Sequence, residues 1–235
     1  MIPQRLDGPL NLIFDADDTL WDSNVHFLEA ETTFISSLGR AGIRDNLAIR
    51  AAMRRHELLI IKRHGYGRRP YVMALHQVAT ELAPAHHHES LRAEIESIGE
   101  KLIDRHCELL RGVASTLGEL GQRHRLLLFT KGDPGEQLRK LDRSGLRPLF
   151  SRIGVPREKD PGNYQLLVAQ AELDPDRTFM IGNSPRSDIN PALKAGLSAV
   201  FIPHPHTWEL EHEEIDHSDA RVITVTAFPH LLKVF

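Results

Sequence analysis

Residues 11 to 21 read NLIFDADDTLW, and this stretch decides the fold. Its first four residues are apolar or nearly so, which is typical of a short buried strand. Three acids follow at once, Asp15, Asp17 and Asp18. Burying an unpaired charge is costly, so a buried strand that ends in carboxylates needs an opposing charge beside it. The stretch therefore raises the question of what lies against Asp15 and Asp17.

Six short apolar runs along the chain have the composition of buried strands. These runs are Leu10–Phe14, Arg125–Thr130, Ile153–Val155, Thr178–Gly182, Ala199–Ile202 and Arg221–Val225. Helical segments separate most of them, at Gly135–Ser144, Asn163–Leu173 and Ser187–Ala195. Near-continuous apolar strands are typical of parallel sheets covered on both faces. The sequence therefore predicts an α/β fold with a doubly wound, mainly parallel, Rossmann-like sheet.

Residues 23 to 110 interrupt this alternation and contain no clear strand. Apolar residues recur there at steps of three and four, which predicts amphipathic helices. The helical stretches are Val25–Leu38, Asp45–His64, Val72–Leu82 and Ser90–Leu110. The HGYGRRPY stretch, residues 64 to 71, is predicted as the most loop-like part, because it contains two glycines and a proline. We predict a core domain of residues 1–22 and 111–235, with an all-helical domain of residues 23–110 inserted in it.

Composition limits the classes of protein to consider. The chain has 235 residues, a net charge of −3 and a pI near 6.5, so no nucleic-acid partner is expected. The single cysteine, Cys107, excludes an internal disulfide and a cysteine metal cage. No apolar run approaches the roughly 18 residues of a membrane span. No stretch near the start has the pattern of a signal peptide either, so a cytoplasmic protein with no membrane partner is expected.

Polar residues end four of the predicted strands, and ligands of parallel α/β sheets bind beyond the carboxyl ends of the strands. These residues are expected to face one crevice. They are Asp15 and Asp17 after the first strand, Thr130 and Lys131 after the second, Lys159 after the third, and Asn183 and Asp188 after the fourth. Lys159 and a bound cation are the expected offsets for the Asp15 and Asp17 charges.

The chemistry that such a group permits is narrow. Asp15, held at the strand end, could act as a nucleophile, and Asp17 could protonate a leaving group and later activate water. Several oxygen ligands suit Mg²⁺, which would neutralise charge in a transition state. Thr130 and Lys159 would hold phosphate oxygens. Phosphoryl transfer through an aspartyl-phosphate is the reaction that uses all these parts.

Four motifs resemble those of the haloacid dehalogenase superfamily. They are DADDT (15–19), the apolar strand closing on Thr130, Lys159 before a helix, and GNSPRSD (182–188). The position of the helical insert is similar to that of the family's C1-type cap, in subfamily I. The resemblance covers nearly the whole chain and implies a catalytic core with a cap domain.

The resemblance also implies roles for individual residues. Asp15 would be the nucleophile, Asp17 the general acid and base, and Thr130 and Lys159 the residues that bind the phosphoryl group. Mg²⁺ would be held by Asp15, by the backbone carbonyl of Asp17 and by the loop after the fourth strand. In that loop the expected metal ligands are Asn183 and Asp188.

The chain departs from the family's usual pattern at two places. Asn183 replaces an aspartate, which removes one negative charge and predicts weaker Mg²⁺ binding. Asp188 keeps the second acidic position, where it would bind the metal directly, bind it through water, or orient Lys159. Lys131 replaces a small or polar residue, and would either add charge for a second anionic group or point to solvent.

Three residues of the helical insert are the candidates for substrate contacts. They are Tyr66, Arg68 and Arg69, because the glycines at 65 and 67 would let that loop approach a ligand and arginine suits anionic groups. Trp21 would either pack at the connection to the insert or form a wall of the pocket.

The sequence therefore predicts a Mg²⁺-dependent phosphatase that acts on a small phosphate ester. Sugar phosphates, phosphoglycolate and nucleoside monophosphates remain open as substrates. A 2-haloacid dehalogenase, a phosphomutase and a non-catalytic binding module are the alternatives, and the presence of Asp17 argues against the dehalogenase. A monomer and a homodimer are equally compatible with the sequence.

Overall fold

The computed structural model of the protein describes residues 8–103 and 108–235. The chain divides into two compact units, one of Met1–Asn24 with Cys107–Phe235 and one of Val25–His106. The units thus change at 24/25 and 106/107, where the sequence placed the boundaries at 22/23 and 110/111. Cys107 itself lies outside the described residues.

The first unit contains a parallel sheet of six strands in the order β3-β2-β1-β4-β5-β6. The strands are β1 Asn11–Phe14, β2 Arg125–Phe129, β3 Arg152–Gly154, β4 Thr178–Gly182, β5 Ser198–Phe201 and β6 Val222–Thr224. Each predicted strand is present within one residue at either end, and the predicted α/β fold is confirmed.

Strand β1 lies at the centre of the sheet, where Phe14 is paired with Leu128 of β2 on one side and Ile181 of β4 on the other. Leu12 and Phe14 belong to one hydrophobic cluster and Ile13 to another. The strand is therefore covered on both faces, which explains its continuous apolar run. From β1 the sheet continues through β2 and β3 on one side and through β4, β5 and β6 on the other. The carboxyl end of β1 is therefore at the switch point of the strand order, where α/β sheets bind ligands.

The helices of this unit follow the strands in alternation. They are α5 Val113–Leu120, α6 Pro134–Ser144, α7 Pro161–Ala171, α8 Asn190–Lys194 and α9 Leu231–Val234. Helices α5 and α9 were not predicted. The helix predicted over Ser187–Ala195 begins instead with a wide π-type turn at Pro185–Ile189, which α8 continues.

The second unit is all-helical in its described part, as predicted. Its helices are α1, which begins in the first unit at Asn24 and ends at Arg40, α2 Asn46–His64, α3 Arg68–Leu82 and α4 His88–Ile103. They pack around their own hydrophobic cluster, which includes Phe34, Ile49 and Leu75. No helix of the described residues is both long and apolar enough to cross a membrane.

Two boundaries in the helical unit were predicted wrongly. The loop expected over residues 64–71 is confined to residues 65–67, and α3 begins at Arg68. Pro70 lies in the first turn of that helix, where its missing N–H costs nothing. The last helix is described as far as Ile103 and does not extend to Leu110 as predicted. Residues 104–107 of that prediction lie outside the described residues, and residues 108–110 are not helical.

The chain leaves and re-enters the first unit at adjacent points. Trp21 forms an antiparallel bridge with Leu109. The amide of Asp22 donates to the carbonyl of Glu108 at 3.2 Å, and the amide of Leu110 donates to the carbonyl of Leu20 at 2.9 Å. The two connecting segments are thus hydrogen-bonded side by side.

Candidate active site

A lysine lies between two carboxylates at the carboxyl end of β1. Asp15 directly follows the strand, and its amide donates to the carbonyl of Ile181 in β4. Lys159 Nζ lies 2.5 Å from Asp15 Oδ1 and 2.6 Å from Asp188 Oδ1. The lysine side chain is 1% exposed and that of Asp188 is fully buried. Lys159 is therefore the cation that offsets Asp15.

Burial and charge shift the pKa values of this group in opposing ways. Burial raises the pKa of Asp15 above its ordinary value, although the Lys159 ammonium opposes that shift. Burial likewise raises the pKa of Asp188 to about 7. Burial alone would lower the pKa of Lys159, but the two carboxylates outweigh it and raise the pKa. The lysine is therefore charged, and two carboxyl groups share one positive charge.

Both carboxylate oxygens of Asp188 have protein partners. Oδ1 accepts from Lys159, and Oδ2 accepts from the backbone amide of Ser184 at 2.9 Å. A Cβ atom on Gly182 would overlap this carboxylate, so the last residue of β4 must be glycine for Asp188 to pack there. This geometry favours the expectation that Asp188 orients Lys159.

A hydroxyl joins the ends of β1 and β4. Thr19 Oγ1 lies 3.1 Å from Asp15 Oδ2 and 3.1 Å from Asn183 Oδ1. The Asn183 amide also donates to Thr207 Oγ1 at 2.9 Å, which fixes the orientation of the amide oxygen. A carboxylate oxygen and an amide oxygen thus both lie beside the Thr19 hydroxyl, and oxygen donors of these kinds suit Mg²⁺. The residues present fit the predicted metal in this respect.

The carboxylate of Asp17 is held by donors from three side chains. Trp21 Nε1 donates to Oδ1 at 2.7 Å, and Gln137 Nε2 donates to Oδ2 at 2.8 Å. Lys140 Nζ lies 2.7 Å from Oδ1 and 2.9 Å from Oδ2. Burial alone would raise the pKa of Asp17, but Lys140 and the hydrogen bonds outweigh it and lower the pKa. In this arrangement Asp17 is an ionised carboxylate with a fixed orientation.

The second strand ends beside the first, as predicted. Thr130 is buried, and its amide donates to the carbonyl of Gly154 at 3.1 Å. The next residue, Lys131, is 15% exposed, and its Nζ lies 2.5 Å from Glu211 Oε1 and 2.9 Å from Ser187 Oγ. Lys131 therefore does not point to solvent, which was one of its two expected orientations. Its charge is opposed by a carboxylate.

Glu211 connects this lysine to the loop after β4. Its second carboxylate oxygen accepts from Ser184 Oγ at 2.5 Å. Burial alone would raise the pKa of Glu211, but the Lys131 ammonium and the hydroxyl donors lower it below its ordinary value. Glu211 is thus an ionised, buried group that supports Ser184, the residue whose amide holds Asp188.

A separate acidic group lies where the chain leaves β1. Among the His, Cys, Asp and Glu side chains of the described ranges, Asp18, Asp22 and His204 form the one group of three that is close enough to share a metal ion. Asp18 already accepts from the amides of Ser23 and Asn24, which accounts for its buried carboxylate. His204 Nε2 lies 3.1 Å from Asp22 Oδ1. These side chains therefore have structural partners, and His204 pairs with the connecting segment.

The three predicted cap residues belong to the helical unit. Tyr66 lies between α2 and α3, while Arg68 and Arg69 are in the first turn of α3. Gly65 and Gly67 have positive φ angles of 78° and 122°, a conformation that glycine adopts readily. Contact of these residues with a substrate stays a prediction.

Sequence reasoning missed three residues of the site. Gln137 and Lys140 are three positions apart on α6, so they lie on one face of the helix that follows the second motif. That spacing, together with the position next to Thr130, was the available signal. Glu211 lies in a short turn at Glu209–Glu211, and no local pattern marks it.

Fold and site together define an α/β enzyme-like protein with an aspartate–lysine centre at the switch point of its sheet. The model of the haloacid dehalogenase-like hydrolases matches residues 11–196. The chain belongs to this family of hydrolases. None of the curated proteins compared with it matches the sequence.

Three solved structures illustrate the likeness. A haloacid dehalogenase-like family hydrolase from Xanthomonas campestris is 28% identical with a TM-score of 0.82, over 96% of this chain and 95% of that one. A 2-haloacid dehalogenase from Pseudomonas syringae pv. Tomato is 18% identical with a TM-score of 0.61, over 96% and 97%. A predicted phosphoglycolate phosphatase from Haemophilus somnus is 18% identical with a TM-score of 0.64, over 96% and 97%. The last two share the fold with this chain.

Proposed function

We propose that this hydrolase is a Mg²⁺-dependent phosphatase that cleaves a small phosphorylated metabolite through an aspartyl-phosphate. The observation that carries the proposal is the Asp17 carboxylate, which three side chains hold two residues after Asp15. A nucleophilic carboxylate alone is enough to displace a halide. A second, fixed carboxylate is needed when an alkoxide leaves and water must then be activated.

The proposed reaction has two steps. Asp17 is ionised in this arrangement, so it must take up a proton before the first step. In that step an Asp15 carboxylate oxygen attacks phosphorus, the bond from phosphorus to the ester oxygen breaks, and Asp17 gives its proton to the departing oxygen. In the second, water attacks the phosphorus of the aspartyl-phosphate, Asp17 takes a proton from the water, and the bond to Asp15 breaks. Inorganic phosphate leaves, and both aspartates return to their starting states.

Lys159 and Thr130 are the proposed partners of the phosphoryl oxygens. Lys159 is the buried cation nearest to the nucleophile, at 2.5 Å, and would neutralise charge on the transferred group. Thr130 follows the neighbouring strand at the same edge of the sheet. Because Lys131 is paired with Glu211, we propose that it contributes little to binding a second anionic group.

We propose that Asp15, the backbone carbonyl of Asp17 and Asn183 hold Mg²⁺. Bound there, the ion would neutralise negative charge on the phosphoryl group. Asn183 supplies an oxygen without a charge, so the site is expected to bind Mg²⁺ more weakly than one with an aspartate. Asp188 is assigned to Lys159, because its side chain is fully buried, unlike that of Asp15, and accepts from both Lys159 and the Ser184 amide.

A 2-haloacid dehalogenase is the second candidate, and Asn183 is the observation that favours it. That reaction needs the Asp15 nucleophile but neither a metal nor an acid, so the loss of a metal carboxylate would be harmless. A dehalogenase reaction does not explain why three side chains hold the Asp17 carboxylate.

Hydrolysis of 4-nitrophenyl phosphate by the purified protein tests the proposal. We expect phosphate release with Mg²⁺ and none with EDTA. Asp15→Asn is expected to lower kcat by roughly a thousandfold or more, because it removes the nucleophile. Asp176→Asn, at an exposed position in a short turn, is the matched control and should leave activity unchanged.

Two outcomes would contradict the phosphatase. One is equal activity in EDTA and Mg²⁺, and the other is full activity in Asp15→Asn. Release of halide from a 2-haloacid without added metal, with no phosphate release, would favour the second candidate. A screen of phosphate esters would follow a positive result and identify the substrate class.

A further inference from the structure

Gln137 holds one oxygen of the proposed acid and base from the first turn of α6. Its Nε2 donates to Asp17 Oδ2 at 2.8 Å, and more weakly to the carbonyl of Lys131 at 3.3 Å. Its side chain is buried, unlike that of Lys140, which is 26% exposed on a flexible stem. Gln137 and Trp21 are therefore the rigid donors to Asp17, one on each oxygen.

The amide oxygen of the same side chain is left unsatisfied. Gln137 Oε1 is buried and has no hydrogen-bond partner among residues 8–103 and 108–235. A buried acceptor without a partner is destabilising, and such groups in native structures call for an explanation. An apolar side chain of the same length would avoid this cost. The hydrogen bond that the Gln137 N–H group donates to Asp17 therefore explains why this position is a glutamine.

The backbone opposite Gln137 is shaped to admit it. Gly132 has a φ of 144°, a conformation that residues with a Cβ rarely adopt. A Cβ atom on this residue would lie 2.7 Å from Gln137 Nε2 and 3.1 Å from Gln137 Cγ. The loop after β2 thus leaves room for the amide to reach Asp17.

We infer that Gln137 is a positioning residue that fixes the Asp17 carboxylate for the hydrolysis of the aspartyl-phosphate. The inference rests on the proposed function. Three observations support it: the hydrogen bond to Asp17, the unsatisfied amide oxygen and the glycine that makes room.

Gln137→Met with 4-nitrophenyl phosphate as substrate tests the role. The 4-nitrophenolate group leaves without a proton, so formation of the aspartyl-phosphate does not need Asp17, whereas hydrolysis of the intermediate does. We expect kcat and KM to fall together by about tenfold while kcat/KM stays within about twofold, because only the second step loses its oriented base. A burst of one nitrophenolate per enzyme should precede the slower steady state.

The thermal midpoint supplies a second readout. Because Gln137→Met removes an unsatisfied acceptor, we expect Tm to stay level or rise. Gln165→Met, on an exposed position of α7, is the matched control and should change neither kinetics nor Tm. Gly132→Ala, which displaces the amide and leaves Gln137 in place, should give the same kinetic pattern and serves as the second variant.

The possible outcomes are distinct. Unchanged kcat in Gln137→Met, or kcat/KM falling with kcat and a lower Tm, would overturn the positioning role while leaving the phosphatase intact. A wild-type protein that releases no phosphate from 4-nitrophenyl phosphate with Mg²⁺ would overturn the proposed function, and the role of Gln137 with it.

Discussion

At the scale of single residues, Lys159 determines the charge state of the site. Its ammonium contacts both Asp15 Oδ1 and Asp188 Oδ1. Both carboxyl groups are buried and have raised pKa values even with the lysine present. Removing the cation therefore leaves two buried carboxylates without an offset.

Lys159→Met is expected to destabilise the protein in a pH-dependent way. At pH 8 in EDTA we expect a loss of about 3–5 kcal/mol in the free energy of unfolding, since breaking a buried ion pair strands the remaining charge. At pH 5 the loss should be smaller. Acids whose folded pKa is raised bind more protons in the folded than in the unfolded state, so stability increases as pH falls below that raised pKa. Urea unfolding at pH 8 and at pH 5 measures the two losses of unfolding free energy.

Lys194→Met, at an exposed position of α8, is the control and should lose less than about 0.5 kcal/mol at either pH. An equal loss for Lys159→Met at pH 8 and pH 5 would mean that the two carboxyl groups do not titrate as their burial predicts.

At the scale of elements, the Lys131–Glu211 pair joins three segments of the first unit. Lys131 follows β2, Glu211 lies in the turn at Glu209–Glu211, and both contact the loop after β4 through Ser184 and Ser187. The side chains are 15% and 10% exposed. The pair therefore stabilises the loop whose amide holds Asp188.

Glu211→Gln is expected to cost about 3 kcal/mol of unfolding free energy at pH 7, because Lys131 loses its buried counter-ion. The pKa of Glu211 is lowered from an ordinary value of 4.5. Its contribution is thus fully present above that value and is lost as pH falls through the lowered pKa. Chemical denaturation at pH 7 and pH 3.5 should show a smaller difference in the free energy of unfolding between the wild type and the variant at the lower pH.

A double variant separates the contribution of the ion pair from the cost of leaving one buried charge without its partner. Lys131→Met with Glu211→Leu replaces both charges by apolar groups and should be more stable than Glu211→Gln alone. If the double variant is the less stable of the two, the hydrogen bonds to Ser184 and Ser187 matter more than the ion pair.

At the scale of the whole molecule, each unit has its own hydrophobic core. The clusters of the sheet contain residues of the first unit, and the cluster around Phe34 and Leu75 contains residues of the second. The chain also leaves and re-enters the first unit through segments that are hydrogen-bonded to each other at Asp22 and Glu108.

A chain in which a Gly/Ser linker of about six residues joins Asn24 to Glu108 is therefore expected to fold, since such a linker spans hydrogen-bonded neighbours with little entropic cost. Circular dichroism should retain the strand signal, and urea should unfold the protein in one cooperative transition. Urea unfolding without a cooperative transition would show that the sheet domain depends on residues 25–107.

The sequence predicted the sheet well because most of its strands carry a short continuous apolar run, which burial on both faces of a parallel sheet favours. It predicted Lys159 beside Asp15 because both follow strands that end at one edge. It missed Gln137, Lys140 and Glu211, because their contacts with Asp17 and Lys131 span 80 to 123 positions and depend on side-chain reach.

The side-by-side connection at Trp21 and Leu109 also has an evolutionary consequence. An inserted segment whose two ends are hydrogen-bonded to each other leaves the pairing of the neighbouring strands undisturbed. Descendants of such a chain can therefore acquire, lengthen or exchange the inserted segment by recombination while inheriting the aspartates and the lysine unchanged. Diversity among relatives is expected to accumulate between residues 25 and 107, and to spare the ends of the strands.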